Sequence, residues 1–204
     1  MRRDVALYMQ WLFLILVQLA SGSPALTFRA INHTANSATD EYRQLWCAEG
    51  ARVTAVMERV TGYRYPGGTV HVLVSNNTPM TAFGGRSMSL KASYPQYYKR
   101  ATLVHELGHR LAFTMPRTAD LDEHRLLYLF LYDVWSDLYG AAYAERMADI
   151  ERRIKGRYDY AAAWDWALSM TRGERQARLE ALRGQPAELP VSESAATVRQ
   201  PPMC

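Results

Sequence analysis

Apolar positions recur at helical spacing from Asp40 to Thr61, where Tyr42, Leu45, Trp46, Val53, Val56, Met57 and Val60 repeat at that period. Gly62 marks the stop of this helix, and Pro66-Gly67-Gly68 marks a turn. The run Thr69 to Val74 (T-V-H-V-L-V) is short and β-rich, which predicts a strand. Asn76 to Pro79 is a loop. After Gly84-Gly85, Met88 and Leu90 alternate with polar residues between Arg86 and Ala92, which predicts a second, half-exposed strand. Ser93-Tyr94-Pro95-Gln96 has the form of a capping box with proline in the first turn. It opens a helix through Ala101, Leu103, Val104, Leu107 and Leu111 to about Phe113, and Pro116 bars its continuation. Asp120-Leu121-Asp122-Glu123 predicts the next N-cap, at Asp120, for a helix reaching about Tyr139. Helices are expected over 142–155 and 159–169, and Thr171-Arg172-Gly173-Glu174 caps a last one to Arg183. One helix, two or more strands and a helical second half place the chain in the α+β class.

Composition narrows the picture. With 204 residues, 49% hydrophobic and 22% charged, the chain is long enough for one domain with its own core. Its net charge of +4 is a mild excess. Arg152, Arg153, Lys155 and Arg157 are interleaved with Asp149, Glu151 and Asp159, as on a solvated helix face, so no nucleic-acid partner is expected. The N-terminus has a basic start (Met1, Arg2, Arg3), an uncharged run from Val5 to Ala20, and small residues at Ser21, Gly22 and Ser23. That order predicts export, with 1–24 as a signal peptide or, uncleaved, as a membrane anchor. A globular domain is expected over 28–184, and 185–204, rich in Pro, Ala and Ser, as a disordered tail. Cys47 and Cys204 allow one disulfide but no cysteine-based zinc site. Asn32 and Asn76 open glycosylation sequons. Nothing in the pattern assigns an oligomeric state.

The segment that carries chemistry is His105-Glu106-Leu107-Gly108-His109, an H-E-x-x-H inside a predicted helix. Four residues advance a helix about 6 Å and turn it only about 40° past one full turn. His105 and His109 therefore point the same way and can grip one zinc ion. Glu106 is offset by one residue, so it can reach a water on that ion without displacing it. Zinc lowers the pKa of such a water toward about 7, and a carboxylate in that place acts as general base.

A catalytic zinc has three protein ligands and one open position. The extended form with a histidine six places after His109 is excluded, because Met115 stands there. Between Leu126 and Ala144 the only charged residues are Asp133 and Asp137, on one face of an apolar helix. Burying two carboxylates without partners is costly, and a metal with its histidines would compensate. Asp133 is thus the expected third ligand, with Asp137 one turn on as acceptor for the outer ring proton of a ligating histidine. Glu123 and His124, at the start of the same helix, are the alternative. His124, Tyr139, Tyr143, Tyr158 and Tyr160 are candidates to steady an oxyanion. His33 and His71 read as a loop and a strand residue.

The His105–His109 helix followed by an acidic helix resembles the gluzincin branch of the zincin metallopeptidases (peptidase MA clan). The branch pattern N-E-x-x-x-D-x-x-G is matched in spacing by Tyr132 to Gly140, with Tyr132 at the Asn position and Asp133 at the Glu position. An aspartate ligand occurs in the related aspzincin branch. The resemblance spans about residues 69–140. It implies a zincin-like fold, a small sheet and an H-E-x-x-H helix over a helical lower subdomain. It also implies a peptide or protein substrate, docked in extended form along a strand edge, for which Phe83 to Ala92 is placed. The competing readings are a zincin scaffold that binds or stabilises envelope material without cleaving it, and a zinc amidase acting on a non-protein amide.

Overall fold

In a computed structural model the described residues are 23–184. Strand β1 (Ala25–Ala30) is followed by a single 3-10 turn (His33–Ala35) and the long helix α1 (Asn36–Thr61). Strands β2 (Thr69–Ser75), β3 (Met80–Ala82) and β4 (Ser87–Lys91) come next. Helices α2 (Gln96–Ala112), α3 (Glu123–Tyr139), α4 (Ala141–Arg152), α5 (Tyr160–Leu168) and α6 (Arg172–Arg183) complete the chain. The class is α+β, with a mixed four-stranded sheet in the order β1-β2-β4-β3.

β1, β2 and β4 run parallel, and β3 returns antiparallel to β4 through the Phe83–Gly85 turn. Val70, Val72 and Val74 of β2 and Met88 and Leu90 of β4 point to one buried face, while His71, Ser87 and Ser89 point away. This alternation is that of a sheet covered on one side only. α1 packs along β1, and α2 along β3 and β4. α3 is the hub of the helical half and touches α1, α2, α4, α5 and α6. Its residues Leu126 to Leu131 are all buried, as expected of a helix that is apolar all round.

Several local expectations need correction. β1 starts at Ala25, upstream of the expected domain start at residue 28, and it and β3 were not anticipated as strands. β3 is too short, at three residues, to carry a periodicity. The segment from Arg86 to Ala92 is an inner strand, so the free edge near α2 belongs to β3. α1 begins at Asn36, behind the 3-10 turn. The capping box at Ser93 does not form: Pro95 is the N-cap residue and makes no side-chain cap bond, while the Ser93 N–H donates to Asn76 Oδ1. α3 is capped by Asp122 rather than Asp120, with its carboxylate accepting from the N–H groups of His124 and Arg125. The box of Thr171 and Glu174 on α6 forms as expected. Gly62 ends α1 in the left-handed region, at φ 70°, where glycine is the least strained residue.

The segments 1–22 and 185–204, with the expected signal or anchor, the tail and Cys204, lie outside the described residues. Among the described residues no helix is long and apolar enough to cross a membrane.

Candidate metal centre

α2 brings His105, Glu106 and His109 to the interior, under the β3 edge and against the first turn of α3. A Cβ on Gly108 would lie 2.5 Å from Leu127 Cδ1 and 3.4 Å from Phe130 Cε2. The bare glycine thus lets α3 lie directly on α2, which places His124 beside the other two histidines. Ligand atoms of His105, His109 and His124 all lie within 4.8 Å of one another, with His109 and His124 buried and the His105 side chain 11% exposed. The Nε2 atoms of His105 and His109 are 3.1 Å apart. Two nitrogens on one tetrahedral zinc, with bonds of about 2.0–2.1 Å, stand roughly 3.3 Å apart, so this spacing suits a shared ion. Nδ1 of His124 is buried with no hydrogen-bond partner, a polar atom that a cation would satisfy.

Electrostatics points the same way. Burial holds the His109 imidazole well below the usual histidine range, helped by His105, His124 and Arg117. Burial, with His105 beside it, takes His124 down to about 4. Both rings are neutral near pH 7, the state in which imidazole binds metals. For His105 burial also acts downward, but the charge and hydrogen bond of Glu151, together with the charges of Glu106 and Glu123, outweigh it and raise its pKa.

Glu106 is 3% exposed. Burial pushes its carboxyl up to about 7, against the opposing pull of His105 and of a hydrogen bond from Thr81. Thr81 Oγ1 on β3 is 2.7 Å from Glu106 Oε2 and 3.0 Å from the Glu106 carbonyl, so the edge strand is tied to the acid itself. A carboxylate of this pKa is matched to taking up and giving back protons near neutrality.

Of the predicted residues, His105, Glu106 and His109 are brought together. Asp133 is not with them. It is buried, but Arg175 grips both its oxygens, with Nη2 at 2.7 Å from Oδ1 and Nε at 2.9 Å from Oδ2. It also stands nine residues beyond His124, about 13 Å further along the helix axis, because each residue adds about 1.5 Å. The cost of burying a carboxylate, which pointed to a metal, is met by an arginine instead. Asp137 likewise binds Arg172 and Arg59 rather than a histidine. Of the alternative pair, His124 joins the cluster and Glu123 lies outside it, with Oε1 3.4 Å from His109 Nδ1.

Among the tyrosines, Tyr158 and Tyr160 reach the cluster, with ring centroids 4.5 and 4.6 Å from that of His124. The Tyr139 hydroxyl donates to Glu49 and the Tyr143 hydroxyl to the Tyr97 carbonyl, away from the histidines. His71 is on the exposed side of β2 beside Thr27, and His33 is in the 3-10 turn.

One residue escaped sequence reasoning although a signal for it existed. Glu151 of α4 accepts from His105 Nδ1 at 2.8 Å, and its other oxygen accepts from the Trp164 indole at 3.1 Å. Ala144, Met147, Ala148 and Glu151 form the buried stripe of α4, at helical spacing. A lone carboxylate on such a stripe is the same mark that drew attention to Asp133. Here it was hidden among the charges of Asp149 to Arg157. Thr81, by contrast, leaves no mark in the sequence that sets it apart from other threonines.

Comparison with protein-family models, curated proteins and solved structures finds no match for this chain.

Proposed function

We propose that the protein is a zinc-dependent metallopeptidase of zincin-like build, with His105, His109 and His124 as the metal ligands and Glu106 as general base. The observation that carries this reading is the convergence of three histidines, two of them buried and the third nearly so, beside a buried carboxylate whose pKa burial has raised to about 7. Three histidine nitrogens are the ligand set of many catalytic zinc sites.

A zinc ion held there would supply Lewis acidity, lowering the pKa of a water and polarising a carbonyl. The chain's own groups account for the remaining roles. Glu106 would take the proton of the attacking water and return it to the leaving amine. Thr81 holds Glu106 by one oxygen and so orients the carboxylate. Tyr160 and Tyr158, packed on His124, are the phenols nearest the cluster and the candidates to donate to an oxyanion. β3 offers an open main-chain edge beside Glu106, along which an extended peptide could pair. The same constellation would hydrolyse an amide outside a peptide, and the experiment below includes that outcome.

The test is elemental analysis of the purified full chain, its His124→Ala variant and its Glu106→Gln variant, with cleavage assayed on a peptide library and on amide-bearing cell-wall material. The reading expects about one zinc per chain in the parent and in Glu106→Gln, little in His124→Ala, and peptide cleavage by the parent alone. A parent that takes up no zinc from a zinc-containing buffer overturns it. Zinc without peptide cleavage, but with hydrolysis of the cell-wall amide, replaces the peptide by that substrate.

A further inference from the structure

The nitrogens of His105 and His109 that face away from each other meet two different carboxylates. Glu151 sits on the buried stripe of α4, where an unpartnered carboxylate would be costly. Its oxygens are both engaged, one by His105 Nδ1 at 2.8 Å and one by the Trp164 indole N–H at 3.1 Å. Trp164 is itself fixed, stacked on Tyr128 at 3.8 Å between ring centroids and fully buried. Glu151 is thus held by a rigid donor and cannot turn away from the histidine.

A neutral imidazole carries one N–H and one lone pair, and an ionised carboxylate only accepts. In its neutral form His105 must therefore place its proton on Nδ1, which leaves Nε2 bare and turned toward His109. The situation of His109 differs. Its Nδ1 is 3.4 Å from Glu123 Oε1 and makes no hydrogen bond, while Glu123 Oε2 accepts from the Tyr158 hydroxyl at 3.1 Å. The two Nε2 atoms are 3.1 Å apart, a spacing at which a lone pair from each can meet one ion. Of the two carboxylates only Glu151 is hydrogen-bonded to a ring nitrogen of this pair.

We propose that Glu151 is a positioning residue that sets the His105 tautomer for metal ligation. The proposal rests on the metal-site reading above, and it extends that reading to the residue that orients a ligand. It makes the two carboxylates unequal: Glu151 is built into the core and bonded to His105 Nδ1, and Glu123 stands 3.4 Å from His109 Nδ1 with its other oxygen on Tyr158.

The test uses the full chain with ¹⁵N-labelled histidine. NMR of the metal-free protein in mildly alkaline solution reads which nitrogen of each ring carries the proton, and competition with a chromophoric chelator reads zinc affinity. The expected result is Nδ1–H on His105, both without metal and with zinc. Glu151→Gln should lose the His105 preference and bind zinc roughly 10–100-fold more weakly, the usual effect of removing such an outer partner. Glu123→Gln should leave the His105 preference unchanged. Nε2–H on His105 in the parent overturns the proposal, and this measurement needs no variant to fold. A parent that binds zinc, with Glu151→Gln binding it equally tightly, overturns the proposal alone. A parent that binds no zinc overturns the metal reading and the proposal with it.

Discussion

Arg175 of α6 and Asp133 of α3 form a buried pair in which two guanidinium nitrogens meet two carboxylate oxygens, at 2.7 and 2.9 Å. Arg175 Nη1 also donates to the main-chain carbonyls of Ala167 and Met170, so the pair ties α6 and the end of α5 to the central helix. Bidentate geometry of this kind is the strong form of an ion pair. Asp133→Ala would leave a buried guanidinium without its partner, and the expected loss is about 3–5 kcal/mol of folding free energy. Its zinc content should match the parent's. Urea unfolding and elemental analysis of the same sample check both statements, and loss of zinc from a fully folded variant would return Asp133 to the metal.

The metal reading has a thermodynamic consequence. Zinc at about a hundred times its dissociation constant adds roughly 2.7 kcal/mol to the stability of a chain that binds it only when folded. A chelator should therefore lower the thermal midpoint of the parent, with recovery on adding zinc. His124→Ala should show little response to either, since its ligand set is reduced to two. Differential scanning calorimetry with and without chelator decides this.

Thr81→Val keeps the shape of the side chain and removes the hydroxyl that meets Glu106 Oε2. An ionised, buried oxygen left without its donor should cost about 1–3 kcal/mol. The hydrogen bond lowers the Glu106 pKa, so its loss raises that pKa further above about 7. The deficit is then largest where the parent's Glu106 is ionised, and it shrinks as the pH falls through about 7. Denaturant unfolding as a function of pH should show that slope, and Thr81→Ser should largely restore the parent's behaviour.

Gly108→Ala sets two effects against each other. Alanine gains up to about 1 kcal/mol in helix propensity. The new methyl would stand 2.5 Å from Leu127 Cδ1, in a core where Leu127 is fully buried, and overpacking of this kind costs about 1–3 kcal/mol. The net expectation is a loss of stability together with weaker zinc binding, because the clash pushes α3, and His124 with it, away from α2. A variant more stable than the parent, with equal zinc affinity, would refute the packing argument.

Asp137 accepts from Arg172 and Arg59, and the Arg172 hydrogen bonds are the main reason its carboxyl lies below the usual range. A depressed folded pKa contributes stability in full above the unfolded value, near about 3.9, and loses it as pH falls through the lower folded value. Asp137→Asn should be less stable than the parent at neutral pH, with the difference narrowing below about pH 4. Acid titration of the unfolding midpoint measures it.

Local rules of spacing account for much of the molecule. The periodicity of Tyr42 to Val60, the β-rich run at Thr69 and the Thr171–Glu174 box each rest on neighbours within a few residues, so they can be read from the chain. The same holds for His105, Glu106 and His109, because the pitch of one helix is enough to align them.

Long-range packing accounts for the rest. His124 becomes the third histidine because Gly108 admits α3, and Asp133 is excluded because α6 returns Arg175 to it from 42 residues away. Glu151 and Thr81 reach the site from 46 and 25 residues away in the chain. The cost of burying a carboxylate is a property of the residue and was visible in the sequence for Asp133. The partner that offsets the cost is a property of whatever packs against it, and only the packing of the helices identifies that partner.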